Sequence, residues 1–296
     1  LTNADYSTGN AYQYAYDAVG NRLTASDQLS VNSYQYDAAN RLASVDGVNY
    51  TFDANGNLLN DGTNTYTYDS ANRLKTLSNQ STVSSYQYNG LGDRLSQTMN
   101  GSTTNYTLDL NTGLTQVLSD GTTTYTYGLG RISQLNTATL MTDYFLTDAL
   151  GSVRQMTDQA GAITFAQSYD PYGVVTQTSG TVNSAYGFTG EQQSGDLVYL
   201  RARYLNVNDG RFQSRDTWGG DAMRPLSYNK WQYVYSNPIN YTDPTGKAPF
   251  DPPCILNPGE AGRRYCIFDQ APYKGAFIDI SHFKGGRNMG EKLKRD

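Results

Sequence analysis

Residues 14–23 read YAYDAVGNRL, residues 34–42 YQYDAANRL, residues 66–74 YTYDSANRL and residues 86–95 YQYNGLGDRL. The unit is an aromatic pair at i and i+2, then an acid, a turn and Asn-Arg-Leu. Tyr14 and Tyr16 lead to Asp17, Gly20, Asn21, Arg22 and Leu23. Tyr50 and Phe52 lead in the same way to Asp53, Gly56, Asn57 and Leu58. Degenerate copies stand at 106–109 (YTLD) and 125–128 (YTYG). The anchors at 16, 36, 52, 68, 88, 108 and 127 step by 20, 16, 16, 20, 20 and 19 residues. Such a period marks a repeat protein.

The physics of one unit predicts a strand, a tight turn and a strand. Residues two apart share a strand face, so both rings of each pair lie together. Asp followed by Gly or Asn supplies turn chemistry and positive φ. Leu then resumes the apolar face on the return strand. A lone hairpin is marginal in water. Stacked hairpins bury the tyrosine ladder and pair one another's edges. The expected fold is all-β, a long twisted antiparallel sheet that winds on as units accumulate. The aromatics are read as core and the aspartates as turn residues. The repeated Arg is placed on the sheet surface or against an Asp of a neighbouring unit.

Composition agrees with a turn-rich β body. Among 296 residues there are 26 Tyr and 29 Gly, and charged residues make up 17%. Glu191 is the only Glu before residue 247, so nearly every acid there is Asp, a turn and cap former. Residues 1–246 carry 13 basic and 21 acidic side chains, whereas residues 247–296 carry 9 and 6. The first stretch is therefore net −8 and the last net +3. An overall charge of −5 argues against nucleic acid as a partner of the β body. No apolar run is long enough to span a membrane. The chain begins Leu1-Thr2-Asn3, without Met or a signal-like stretch, and is expected to be part of something longer.

The repeats resemble the YD repeats of the Rhs family, and the second half strengthens the resemblance. Residues 144–161 (YFLTDALGSVRQMTDQAG) and 169–173 (YDPYG) are similar to the family's strand-turn segments. Residues 186–212 (YGFTGEQQSGDLVYLRARYLNVNDGRF) closely resemble the Rhs repeat-associated core. The resemblance spans roughly residues 10 to 246. It implies a hollow β-cocoon of spiralling YD hairpins, capped by a core plug and enclosing a C-terminal toxin that the core itself severs. Toxin-complex C components and type VI Rhs effectors share this plan, and teneurins carry a related shell that serves adhesion. It divides the chain into a YD wall at 1–143, the core at 144–247 and a C-terminal extension at 248–296.

The resemblance also implies a self-cleaving aspartyl protease. Arg215 and Asp216 follow Gly210-Arg211-Phe212, and residues 237–246 (NPINYTDPTG) match the family's cleavage signature. Asp216 and Asp243 are expected to converge as a carboxylate pair that shares one proton. The charged member activates water and the neutral one donates to the scissile carbonyl. Arg215 is expected to orient a carboxylate or stabilise developing negative charge. The resemblance implies a cut after the residue that follows Gly246, between Lys247 and Ala248. Two departures stand out: Thr217 occupies a place where the family has Pro, and Lys247 one where it has a large apolar residue. The bland reading of Asp243-Pro244-Thr245-Gly246 is a type I turn.

No metal or cofactor is expected, because two Cys and one His do not make a zinc pattern. Cys254 and Cys266 admit a small extracellular disulfide loop or two thiols. His282, beside Ser281, Lys284 and Arg287, is a candidate for phosphoester chemistry, although a lone His is more often structural. The expected partner is the chain's own C-terminal cargo, with secretion machinery or a cell-surface partner besides, in a secreted or cell-surface setting. A non-catalytic extracellular adhesive module, binding glycans or a copy of itself, is the second reading.

Overall fold

The computed structural model describes residues 1–6, 9–247 and 249, with the backbone of two strands, Tyr265–Phe268 and Ala276–Asp279, which pair antiparallel. The side chains of Cys254, Cys266 and His282 and the whole of Ala248 lie outside the described residues. The described chain is all-β. A wall of antiparallel strands runs from Asn3–Asp5 to Val175–Gly180 in sheets of six, seven and eight strands, each in strict sequence order. Two strands that change partners join them. Tyr50 divides one, so that Val48–Asn49 pairs back with Leu42–Val45 while Thr51–Phe52 pairs forward with Leu58–Asn60. Tyr106 divides the other in the same way. The wall continues through Thr142–Thr147 and beyond, into the stretch that the sequence assigns to the core module.

The repeat turns are built as their residues dictate. Asp17 Oδ1 accepts from the amides of Val19 and Asn21 at 3.0 and 2.8 Å, and Gly20 takes the positive φ. Asp37, Asp53 and Asp69 make the same bonds, with Asn40, Gly56 and Asn72 at positive φ. These carboxylates thus satisfy backbone donors that a bare turn would leave open.

The register across each turn corrects two expectations. The second aromatic always pairs with the residue six positions on: Tyr16 with Arg22, Tyr36 with Leu42, Phe52 with Leu58, Tyr68 with Leu74 and Tyr88 with Arg94. In the first and last of these units Leu stands seven residues after the aromatic instead of six, one place past the paired position. Strand side chains alternate, so this offset turns Leu outward and Arg inward. Leu42, Leu58 and Leu74 are buried, whereas Leu23 and Leu95 are exposed and Arg22 and Arg94 are buried in their place. The repeated Arg therefore has two fates, and neither is a pairing with a neighbouring unit's Asp. Arg22 lies 4.5 Å over the Tyr34 ring and donates to its hydroxyl at 2.9 Å. Arg94 lies 4.2 Å over Tyr199. Arg41 and Arg73 instead pair with Asp37 and Asp69 of their own turns, each at 2.7 Å.

A second body packs against the tyrosine side of the wall. Gln192–Ser194, Leu197–Leu200, Arg203–Asn206 and Arg211–Phe212 form a four-stranded antiparallel sheet. Its Val198, Leu205 and Phe212 pack with Tyr14, Tyr169 and Tyr172 of the wall, and its Leu197 and Tyr204 with Leu58, Tyr66 and Tyr86. Polar seams fix its orientation. Trp231 Nε1 donates to Gly56 O at 3.0 Å, and Gln232 Nε2 to Gly20 O at 2.9 Å. Among the described residues no helix is long and apolar enough to cross a membrane.

Candidate functional site

The plug brings Asp216 and Asp243 together on one cation, Arg203. Arg203 opens the strand Arg203–Asn206, and its guanidinium lies 3.5 Å from the centre of the Phe212 ring on the adjacent strand. Its Nη2 reaches Asp216 at 2.7 Å and Asp243 at 3.5 Å. Nη1 donates to Lys230 O at 3.0 Å, and Nε donates to Gly246 O. Asp216 is placed by backbone bonds: its amide donates to Lys230 O at 3.0 Å, and its carboxylate accepts from the Trp218 amide at 2.8 Å. Asp243 opens the turn to Gly246 and accepts, through Oδ1, from the Thr245 hydroxyl and the Lys247 amide, each at 3.1 Å. The turn reading and the site reading of Asp243 therefore coincide.

The electrostatics follow from burial. The side chains of Arg203, Asp216 and Asp243 are 5%, 9% and 1% exposed. Desolvation pushes the Asp243 carboxyl up to about 6, against the opposing pull of Arg203 and of its hydrogen-bond donors. Asp216 is raised by the same cause, with Arg203 again opposing. Burial pushes the Arg203 guanidinium down to about 10, where it remains a cation at neutral pH. Two carboxyls shifted toward neutrality beside a fixed cation suit proton transfer at a neighbouring carbonyl.

Arg215 does not join them. It is exposed, and its aliphatic stem lies beside Gly56. Its neighbour Asp216 turns inward, and the cation at the site comes from thirteen residues upstream. Gly246 is buried at φ +66, and a methyl group there would fall 2.3 Å from Leu200 O. Lys247 is exposed. Sequence reading missed Arg203. Its only signal was the Arg201-Ala202-Arg203 run, which the structure places at the turn between Leu197–Leu200 and the strand that Arg203 opens.

A wall of aromatic-pair hairpins in sequence order, packed against a four-stranded β plug, is the arrangement of the YD-repeat shells. The family model described as the teneurin YD-shell matches residues 1–240, and the chain belongs to that family. Its relatives include the tRNA3(Ser)-specific nuclease WapA of Bacillus spizizenii, 30% identical over 263 residues. That match covers 83% of this chain and 11% of the relative. The double-stranded DNA deaminase toxin A of Burkholderia cenocepacia is 30% identical over 115 residues, 36% of this chain and 8% of the relative. The crystal structure of TcdB2-TccC3-Cdc42 superposes with a TM-score of 0.65 at 20% identity, over 80% of this chain and 13% of that one. The chain thus spans about a tenth of the length of the curated relatives it matches. It is an Rhs/YD-type shell segment of the kind present in toxin proteins.

Proposed function

We propose that these residues are the wall and plug of a longer Rhs polypeptide that encloses and delivers a C-terminal toxin, and that Asp216 and Asp243 sever it between Lys247 and Ala248. The relatives support the first part. They share this segment, yet their names give different activities, tRNA cleavage and DNA deamination, and the segment is a small share of each. The shared part is then the container and the activity resides elsewhere. On this reading residues 248–296 begin the cargo, and the setting is secreted or at the cell surface.

The observation that carries the second part is the single guanidinium reaching both carboxylates and the carbonyl of Gly246. The less buried Asp216 is the charged member and takes a proton from water. The water oxygen adds to the Lys247 carbonyl carbon, and protonated Asp243 donates to the carbonyl oxygen. When the C–N bond breaks, the Ala248 nitrogen takes up a proton and leaves as an amine, and Lys247 keeps the new carboxylate. One water is consumed. Arg203 orients both acids and balances their charge.

The test is to purify the chain with a C-terminal tag under native and under denaturing conditions. A severed tail that stays with the shell natively and separates on denaturation supports enclosure and cleavage. A tail that remains covalent in denaturant contradicts the cleavage and favours the adhesive reading.

A further inference from the structure

The hairpin between Leu197–Leu200 and Arg203–Asn206 lies along the turn that carries Asp243. Three successive groups on it meet three successive carbonyls. Arg201 Nη1 donates to Pro244 O at 2.6 Å, the Ala202 amide donates to Thr245 O at 3.2 Å, and Arg203 Nε donates to Gly246 O. Gly246 lets the two backbones approach, since any side chain there would meet Leu200 O. Arg201 is itself fixed. Its Nη1 also donates to Glu191 Oε1 at 2.8 Å, and its Nη2 to Thr115 O of the wall at 3.4 Å. Its backbone sits at φ +58, a strained conformation for a residue with a side chain.

We propose that the tip Arg201-Ala202-Arg203 is a peptide-backbone clamp that sets the register of the chain entering the Asp216–Asp243 site, with Arg201 and Glu191 as positioning residues. Its consequence for cleavage rests on the self-cleavage reading, whereas its geometry does not. The clamp grips carbonyls and leaves the side chain of Lys247 in solvent. With residues 244, 245 and 246 held, the bond after residue 247 is the one delivered to the carboxylates, whatever side chain stands there. The departure at Lys247 is then tolerated, and the departure that matters is at Gly246. After cleavage the same three bonds keep the new C-terminus seated in the plug.

The test uses the full chain, with intact mass read over time in Arg201→Met, Arg201→Lys, Glu191→Gln and Lys247→Ala, and hydrogen exchange at the Gly246 and Lys247 amides. Those amides donate to Asp243 O and Asp243 Oδ1, so they report the turn directly. Arg201→Met is expected to slow cleavage about tenfold or more and to spread the cut over neighbouring bonds, with faster exchange at both amides. Glu191→Gln should give a smaller change of the same kind. Arg201→Lys should restore part of the rate, and Lys247→Ala should leave the bond cut unchanged. Phe165→Leu, in the wall strand Ile163–Tyr169, lowers stability away from the turn and should change none of these readouts. An Arg201→Met chain cut at the same bond and rate with unchanged exchange overturns the clamp, as does a Phe165→Leu chain that reproduces the spread. If the wild type is uncut, the cleavage reading fails by itself. Exchange in Arg201→Met then decides the clamp alone: faster exchange supports it and unchanged exchange overturns it.

Discussion

Arg203 and Asp216 form a 2.7 Å ion pair inside the plug, with side chains 5% and 9% exposed. Removing the cation leaves two buried carboxylates facing each other's field, Asp216 and the still deeper Asp243. Arg203→Met is therefore expected to destabilise the chain by about 3–5 kcal/mol and to abolish cleavage. Asp216→Asn and Asp243→Asn, which keep shape and hydrogen bonding, should abolish cleavage at much smaller cost in stability. Thermal melting of the three variants checks the contrast.

A constant turn length makes equivalent letters inequivalent. Leu42 is 4% exposed and Leu23 is 40% exposed, although both close an Asn-Arg-Leu run. Leu42→Ala should cost about 2–5 kcal/mol. Leu23→Ala should stay within about 0.5 kcal/mol. Urea titration of the two variants reads the difference, and equal losses would refute the six-residue register.

Gly56 and Gly92 occupy the same place in their repeats, at φ +87 and +98. An alanine at 56 would bring its Cβ to 2.7 Å from Trp231, whereas no described atom lies within 4 Å at 92. Gly92→Ala carries the backbone cost alone, on the order of 1 kcal/mol. Gly56→Ala should cost about 1–3 kcal/mol more, because the plug must shift. Tryptophan fluorescence should change in the first position and not in the second.

Asp209 and Asp243, 7% and 1% exposed, are each raised by burial to about 6 from an ordinary value of 3.8. Their folded forms hold protons more tightly than the unfolded chain does. The stability they contribute is fully present below 3.8 and is lost as pH rises through about 6. Asp37 and Asp69 are shifted down instead, so their contribution is lost only below 3.8. From pH 7.5 to 5 the melting temperature is thus expected to rise, and Asp209→Asn should flatten the slope. Cleavage should also be faster at pH 6 than at pH 8, where Asp243 has lost its proton.

Much of the architecture was legible because the repeat states its own physics. The Tyr pairs gave the strand face, and Asp17, Asp37, Asp53 and Asp69 gave the turns. The inward Arg22 and Arg94 were not legible, because the closing Arg-Leu letters are the same whichever of the two falls at the paired position, and the six-residue register is set by the fold. The convergence of Asp216 with Asp243 was expected from the resemblance to the Rhs core. Arg203 was missed because its role depends on a neighbouring strand bringing Phe212 beneath it and on a distant turn bringing Asp243 to it. Arg215 was favoured by adjacency in sequence, yet adjacent residues on an extended chain face opposite ways.

Intact mass under denaturing conditions, for the wild type and for Asp243→Asn, tests self-cleavage most directly. Two fragments meeting between Lys247 and Ala248 in the wild type and one chain in the variant are predicted. A single uncut chain in both would contradict the proposed protease and the proposed release of a cargo.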